Sequence, residues 1–302
     1  MIGVDRGRYR CVAGDHRVSA MKARELGRGS VVVGDSVRLA GDVSGTPGTL
    51  ARVVGIAPRS SVLRRSADDS DPVERVIVAN AQQLAIVAAL ADPPPRPRLI
   101  DRFLVAAYDG GLTPLLVLTK ADLPGASPDD LLAAYAPLGI RHVVTGQPLS
   151  QDALAPLRTM LARRLSVLVG HSGVGKSTLV NALVPAANRA TGEVSPVTGR
   201  GRHVSSSVVA LELPGGGWII DTPGLRGFGL GHVDPARVLS AFDDLAEGAA
   251  LCPPRCSHLG AECELDEWVA ARGDAAGWMT ARLGSLRRLL ASRESREDGE
   301  AG

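Results

Sequence analysis

Leu165-Ser166-Val167-Leu168-Val169-Gly170-His171-Ser172-Gly173-Val174-Gly175-Lys176-Ser177-Thr178 decides the fold of this chain. Leu165 and Val167 to Val169 read as a buried strand. Gly170, four residues, Gly175, Lys176 and Ser177 follow, which is the phosphate-loop pattern in its required place between a strand and a helix. The helix is carried by Leu179, Val180, Leu183 and Val184, and Pro185 ends it. Glycines at 170, 173 and 175 let backbone N–H groups turn toward phosphate oxygens, and the helix N-terminus adds its positive end. Lys176 offers a point charge to the β- and γ-phosphates, and Ser177 offers a hydroxyl to Mg²⁺. His171, Ser172, Val174 and Thr178 complete the expected nucleotide contacts.

Upstream, the apolar run 115–118 ends in Thr119-Lys120-Ala121-Asp122, the pattern of a guanine reader usually written NKxD. A carboxylate at Asp122 can accept from both N1–H and the exocyclic amine of guanine. Adenine offers no such pair of donors and would leave the carboxylate poorly satisfied. The stem of Lys120 can lie over the base. Thr119 departs from the usual Asn and has fewer hydrogen bonds to give. Val144-Thr145-Gly146, after a strand expected at 140–144, stands where a base-facing backbone loop belongs.

Downstream, residues 188–203 are rich in Gly, Ser, Thr and Arg, lack apolar periodicity, and take the place of switch I. A hairpin is expected from strands at 208–213 and 218–220. Its second strand ends in Asp221-Thr222-Pro223-Gly224, a DxxG pattern in which Asp221 holds Mg²⁺ through water and the Gly224 N–H senses the γ-phosphate. Leu225 follows, where many GTPases place a water-orienting Gln. An apolar side chain cannot orient water, so the catalytic role is assigned to His203. The guanine pattern precedes the phosphate loop, the reverse of the ordinary order. A doubly wound α/β sheet can still close if the chain is circularly permuted, with further strands at 76–78 and 84–90. Helices are expected at 97–108, 128–138 and 152–165.

The 302 residues, 45% of them hydrophobic, can bury a sizeable core in two or three domains. No apolar run is long enough to span a membrane, and the first ten residues lack a signal-peptide core, so a cytoplasmic location is expected. Residues 1–65 hold 12 Lys/Arg against 5 Asp/Glu, a net of +7, leaving −5 for the remainder. Strands expected at 8–12, 30–39 and 51–56, parted by Gly-rich turns and with 31–37 reading as a strand, a tight turn and a strand, suit a small OB-type barrel. Arg6, Arg8, Arg10, Arg17, Lys22, Arg24 and Arg28 would give it a basic face for a polyanion, nucleic acid first. Aromatics make up 3% of the chain, and only Tyr9 could stack a base there, so phosphate tracking should dominate. The polar stretch 66–72 reads as a linker. The chain has three lysines, Lys22, Lys120 and Lys176, and two of them fall in the nucleotide motifs.

Cys252, Cys256, His258 and Cys263 place three thiols and an imidazole within 12 positions, a tetrahedral Cys₃His pattern for one structural Zn²⁺. Helices are expected at 265–272 and 278–290, and the last residues are expected to be a disordered tail.

A basic barrel, TKAD before GHSGVGKST before DTPG, and a C-terminal CPPRCSHLGAEC module together cover nearly the whole chain. In that order they resemble the RsgA (YjeQ/YloQ) family, bacterial circularly permuted GTPases that depend on the small ribosomal subunit. The resemblance implies an OB-fold RNA-binding domain at 1–65, a circularly permuted GTPase domain at 73–230 and a mainly helical zinc-binding domain at 231–302. It implies a late maturation factor that binds ribosomal RNA and hydrolyses GTP to GDP and phosphate, stimulated by the subunit, and a monomer is expected. The family's switch I histidine falls on His203, where Val204-Ser205-Ser206 replaces a Thr-rich segment, so Ser205 or Ser206 would supply the Mg²⁺ ligand. Two other classes compete on the residues alone: a nucleotide-gated RNA-binding protein with negligible hydrolysis, and a P-loop kinase, against which Lys120 and Asp122 argue.

Overall fold

The computed structural model describes residues 1–5, 7–27, 29–65, 74–187, 208–222, 230 and 233–294. Arg6, Arg28, the linker expected at 66–72, His203 with Val204, Ser205 and Ser206, Gly224, Leu225 and the tail expected to be disordered lie outside the described residues.

The N-terminal barrel is built from β1 (Gly3–Asp5), β2 (Arg8–Ala13), β3 (His16–Lys22), β4 (Val37–Gly41) and β5 (Ala51–Ile56). They lie in the order β1-β2-β3-β5-β4, with β3 and β5 parallel and the other neighbours antiparallel. That Greek-key jump past β4 is the OB-type arrangement. Strand alternation sends Tyr9, Cys11, Val18, Ala20, Ala51 and Val53 into one cluster and turns Arg8, Arg10, Arg17 and Arg52 outward. Tyr9, the one residue there that could have stacked a base, is therefore a core residue, 7% exposed. Within 30–39 the expected tight turn and second strand are present, and the first strand is corrected. Val31 and Val32 form no strand, Val33 makes only an isolated bridge to Val78, and β4 starts at Val37. The cause is a turn at Gly34, whose φ is +92°. A Cβ there would sit 1.8 Å from the Ala79 carbonyl oxygen, so only glycine fits. The buried Asp35 carboxylate holds the turn by accepting from the Val32 N–H at 2.8 Å and from Arg59 Nε at 2.7 Å.

A two-stranded ribbon, β6 (Val62–Arg65) with β7 (Arg75–Ala79), leads out of the barrel. Then come β8 (Gln83–Ala89), α1 (Pro97–Asp109), β9 (Thr113–Thr119), α2 (Asp129–Tyr135), β10 (Arg141–Val144), α3 (Gln151–Leu161), β11 (Leu165–Val169), α4 (Lys176–Leu183), β12 (Val209–Glu212) and β13 (Trp218–Asp221). Their sheet order is β10-β9-β8-β11-β13-β12, parallel except for β12. The chain winds outward from β8 to β10, then returns to β11 on the other side of β8. The topological switch point thus lies between β8 and β11, where ligands bind beyond the strands' C-terminal ends. Both sheet faces are covered. Leu84, Ile86, Ala88, Leu116 and Leu118 pack on one side, while Ala85, Val87, Ala89, Leu115 and Val117 meet α3 and α4 on the other. Helix α3 stops at Leu161 instead of reaching 165, because Arg163 turns left-handed (φ 56°) and its N–H donates to Gly216 O at 3.2 Å.

The large sheet does not end at β12. β1 pairs antiparallel with it, Gly3 opposite Val209, giving one sheet of 11 strands through barrel and nucleotide domain. The C-terminal part comprises α5 (Pro235–Leu239), α6 (Ala246–Ala249), α7 (Leu265–Ala270) and α8 (Ala276–Glu294). Its core residues Phe242, Leu265, Leu283, Leu286 and Leu290 join the cluster on the α1 side of the sheet. Among the described residues, no helix is long and apolar enough to cross a membrane.

Candidate nucleotide-binding site and metal centre

Five parallel strands deliver the nucleotide motifs to one edge. β11 feeds the phosphate loop, in which Gly173 (φ 83°) and Gly175 (φ 85°) adopt the left-handed conformation that turns the backbone around an anion. At Gly170 the loop passes so close to β8 that a Cβ would lie 2.4 Å from Val87 O. Gly175 is the N-cap of α4, so the helix's free N–H groups open onto the loop. The His171 ring nitrogen Nδ1 lies 2.7 Å from Ser172 O. Lys176 is held back along the strand edge, with Nζ 3.4 Å from Thr222 O. Burial lowers its pKa below the usual lysine value, and the nearby Asp221 carboxylate opposes that shift. Asp221 is 4% exposed at the end of β13. Thr222 Oγ1 donates to Leu168 O at 2.8 Å and pins that strand end to β11. Ser177, in the first turn of α4, and Asp221, at the end of β13, carry oxygen donors, the type that suits Mg²⁺.

β9 carries Thr119, Lys120, Ala121 and Asp122 to the same edge. Lys120 is left-handed (φ 59°) and its ammonium donates to Asp92 O. The Ala121 N–H donates to Thr145 O at 3.1 Å, which brings the loop after β10 against the guanine motif. The Gln147 N–H donates to Asp122 Oδ1 at 2.8 Å. Gly146 is equally close, since a Cβ there would lie 3.0 Å from Asp122 Oδ1. These residues and the start of α4 share one cavity of about 240 Å³, lined by Asp92, Lys120, Asp122, Thr145, Gly146, Gln147, Gly175 and Thr178 among others. The phosphate loop and the guanine motif, far apart in sequence order, are therefore walls of one pocket.

Asp92 and Gln147 were not anticipated. A parallel sheet sends the loop after every strand toward the same edge. The Asp-Pro-Pro stretch ending β8 and the Gly-Gln step ending β10 were the available signals.

In the C-terminal part, Cys252, Cys256, His258 and Cys263 present ligand atoms all within 4.8 Å of one another. Cys252 Sγ and Cys263 Sγ are 3.9 Å apart, and each lies 3.7 Å from His258 Nδ1. A tetrahedral Zn²⁺ with bonds of about 2.3 Å to sulfur and about 2.0 Å to nitrogen needs vertices about 3.5–3.8 Å apart, so the cage fits a metal. None of the four cysteines forms a disulfide. Arg287 of α8 closes the outside: its Nε donates to His258 O at 2.9 Å, and its Nη atoms meet both Asp266 oxygens at 2.7 Å.

The sequence model of the RsgA GTPase matches residues 56–231, which holds every nucleotide motif described. The chain belongs to the RsgA GTPase family. It is 39% identical over 267 residues to the small ribosomal subunit biogenesis GTPase RsgA of Chromohalobacter salexigens, covering 86% of this chain and 74% of that one. Identity to the protein of the same name from Gemmatimonas aurantiaca is 38% over 239 residues, with 77% and 75% covered. The crystal structure of YjeQ from Thermotoga maritima superposes with a TM-score of 0.66 at 22% identity, covering 98% of each chain. YloQ, a circularly permuted GTPase, gives 0.61 at 22% identity over 95% of this chain and 93% of the other. At that identity the two structures speak for the fold, and they agree with the permuted strand order and the N-terminal barrel seen here.

Proposed function

We propose that the chain is a GTPase of small ribosomal subunit biogenesis, hydrolysing GTP to GDP and phosphate with stimulation by the subunit during late maturation. One observation carries the reading: Asp122 and Lys120 share a single cavity with Gly175 and Thr178 of the phosphate loop and its helix. A guanine reader and a phosphate cradle at that separation hold the two ends of one GTP. Ser177 and Asp221 would hold the Mg²⁺, which neutralises phosphate charge when bound. Lys176 neutralises the β- and γ-phosphates, and its burial strengthens that interaction by excluding water. Cys252, Cys256, His258 and Cys263 would hold one Zn²⁺, with all four positions filled by protein and a structural role in consequence.

Ribosomal RNA is the proposed partner of the basic barrel, where exposed Arg8 and Arg10 on β2 stand beside exposed Arg17 on β3 and Arg52 on β5. With Tyr9 in the core, that face offers charge without stacking, which suits phosphate tracking. The division into an OB domain over 1–65, a GTPase domain over 73–230 and a zinc-binding domain over 231–302 belongs to the proposal, as do a monomer and a cytoplasmic location.

The water-positioning role is assigned to His203, because Leu225 cannot fill it. The test is GTP turnover with and without purified small subunits. A large stimulation is expected, and turnover indifferent to subunits would refute the reading. In His203→Ala, GTP affinity should hold while stimulated turnover falls about a hundredfold, the scale of a lost positioned acid–base group. Full stimulated turnover in that variant would move the role to another group.

A further inference from the structure

The inference rests on the four converging side chains being a zinc site and concerns what holds them from outside. Three thiolates outweigh a divalent cation by one negative charge, so a filled Cys₃His cage is anionic. Hydrogen-bond partners around such a cage orient its ligands and set how tightly the metal is kept. Two of the thiols find theirs close by in sequence. The His258 N–H donates to Cys256 Sγ at 3.3 Å, and the Glu264 N–H reaches Cys252 Sγ. Cys263, 4% exposed, draws on α8, where the Arg287 guanidinium donates to its sulfur.

The same guanidinium holds the histidine. His258 is left-handed, with φ 59°, an uncommon conformation for a residue with a Cβ. Arg287 Nε donates to its carbonyl oxygen at 2.9 Å and fixes the turn that brings Nδ1 to 3.7 Å from both Cys252 and Cys263. The two Asp266 oxygens at 2.7 Å lock the planar fork in that pose. The next residue of α8, Arg288, reaches Asp101 of α1, so the helix that backs the cage is itself anchored on the nucleotide domain. We propose that Arg287 is a positioning residue of the metal centre: it presents His258 Nδ1, supplies a cationic donor to the Cys263 thiolate, and so makes metal retention depend on the docking of α8.

The test uses the full chain, loaded with Zn²⁺ or with saturating Co²⁺ as a visible substitute. Against a competing chelator, Arg287→Met should bind zinc about tenfold to a hundredfold more weakly than the parent, the scale for partners of metal ligands. In the cobalt form its sulfur-to-metal charge-transfer band should move to lower energy, because a thiolate without its donor gives up electron density more readily. A side chain that only packs would leave that band in place. Arg287→Lys keeps the charge without the planar fork and should fall between the parent and the Met variant in both readings. GDP affinity should be the same in all three proteins, since every nucleotide motif lies outside the metal loop and α8. A Met variant that holds zinc as tightly as the parent, or that holds it more weakly with an unmoved cobalt band, would overturn the proposal. A parent chain that takes up no zinc would instead overturn the metal reading on which it rests.

Discussion

In the proposed reading Lys176 and Asp122 divide the nucleotide between them, and their surroundings set what each substitution does. Lys176 is a buried ammonium whose pKa is lowered by desolvation, with Asp221 opposing. Lys176→Ala removes a buried charge along with a phosphate ligand. Nucleotide affinity should therefore fall about tenfold to a hundredfold, the range of hydrogen bonds to charged groups. The melting temperature without nucleotide should also fall, because the buried Asp221 carboxylate loses a nearby cation. Calorimetric titration with GDP and a thermal melt separate the two effects. Asp122 is exposed, and one of its oxygens already accepts from Gln147 N–H. Asp122→Asn should shift selectivity from guanine toward xanthine nucleotides, because an amide donates where a carboxylate only accepts. Competition by GTP and XTP reads this directly, and an unchanged preference would remove Asp122 from the base site.

At the scale of elements, the metal loop and the strands show what local sequence can and cannot carry. Between Cys252 and Cys263 four candidate ligands converge within 4.8 Å, and zinc binding and local folding are coupled in loops of this kind. Metal analysis should find one zinc per chain, and Cys256→Ser should lose it. The nucleotide sheet should survive, so GDP affinity is the control and protease sensitivity between α6 and α7 the readout. The buried parallel strands β8, β9 and β11 were legible because both faces are covered and the runs 84–89, 114–118 and 167–169 are wholly apolar. The permutation was legible from motif order alone. The stretch 31–33 misled, because three valines look like a strand until the close approach of Gly34 to Ala79 O is known, and that is a tertiary fact. The burial of Tyr9 has a signal in the sequence: Arg8 and Arg10 face outward, and strand alternation then turns residue 9 inward. The contact of Gln147 with Asp122 joins two strand ends, and no local periodicity records such a meeting.

Across the whole molecule, α8 fastens the C-terminal part to the nucleotide domain. Arg282 donates to Asp244 and to Pro137 O at 2.9 Å, and its guanidinium lies 4.4 Å from the Phe242 ring centroid. Arg102 of α1 donates to Ser292 O at 3.0 Å. Arg288 pairs with the buried Asp101, whose oxygens lie 3.1 and 3.2 Å from its Nε. Tyr135 OH stands 3.0 Å from Asp101 Oδ1. Burial raises the Asp101 pKa, while Arg288 and Tyr135 hold it down. Arg288→Met should therefore raise it further. A carboxyl raised in the folded state costs stability as pH climbs through its folded pKa, and that cost vanishes below the unfolded value of about 3.9. The variant should lose about 2 kcal/mol at pH 7, less than a fully buried pair because Arg288 is partly exposed and screened. The deficit should narrow as pH falls toward 4, and denaturant melts at several pH values check the slope. The pairing of Gly3 with Val209 has a consequence for biosynthesis. β1 leaves the ribosome long before β12, and meets that neighbour only after the strands between them have been translated. Until then its free edge is open to pairing with other nascent chains. Its three-residue length keeps that edge a poor template during the wait.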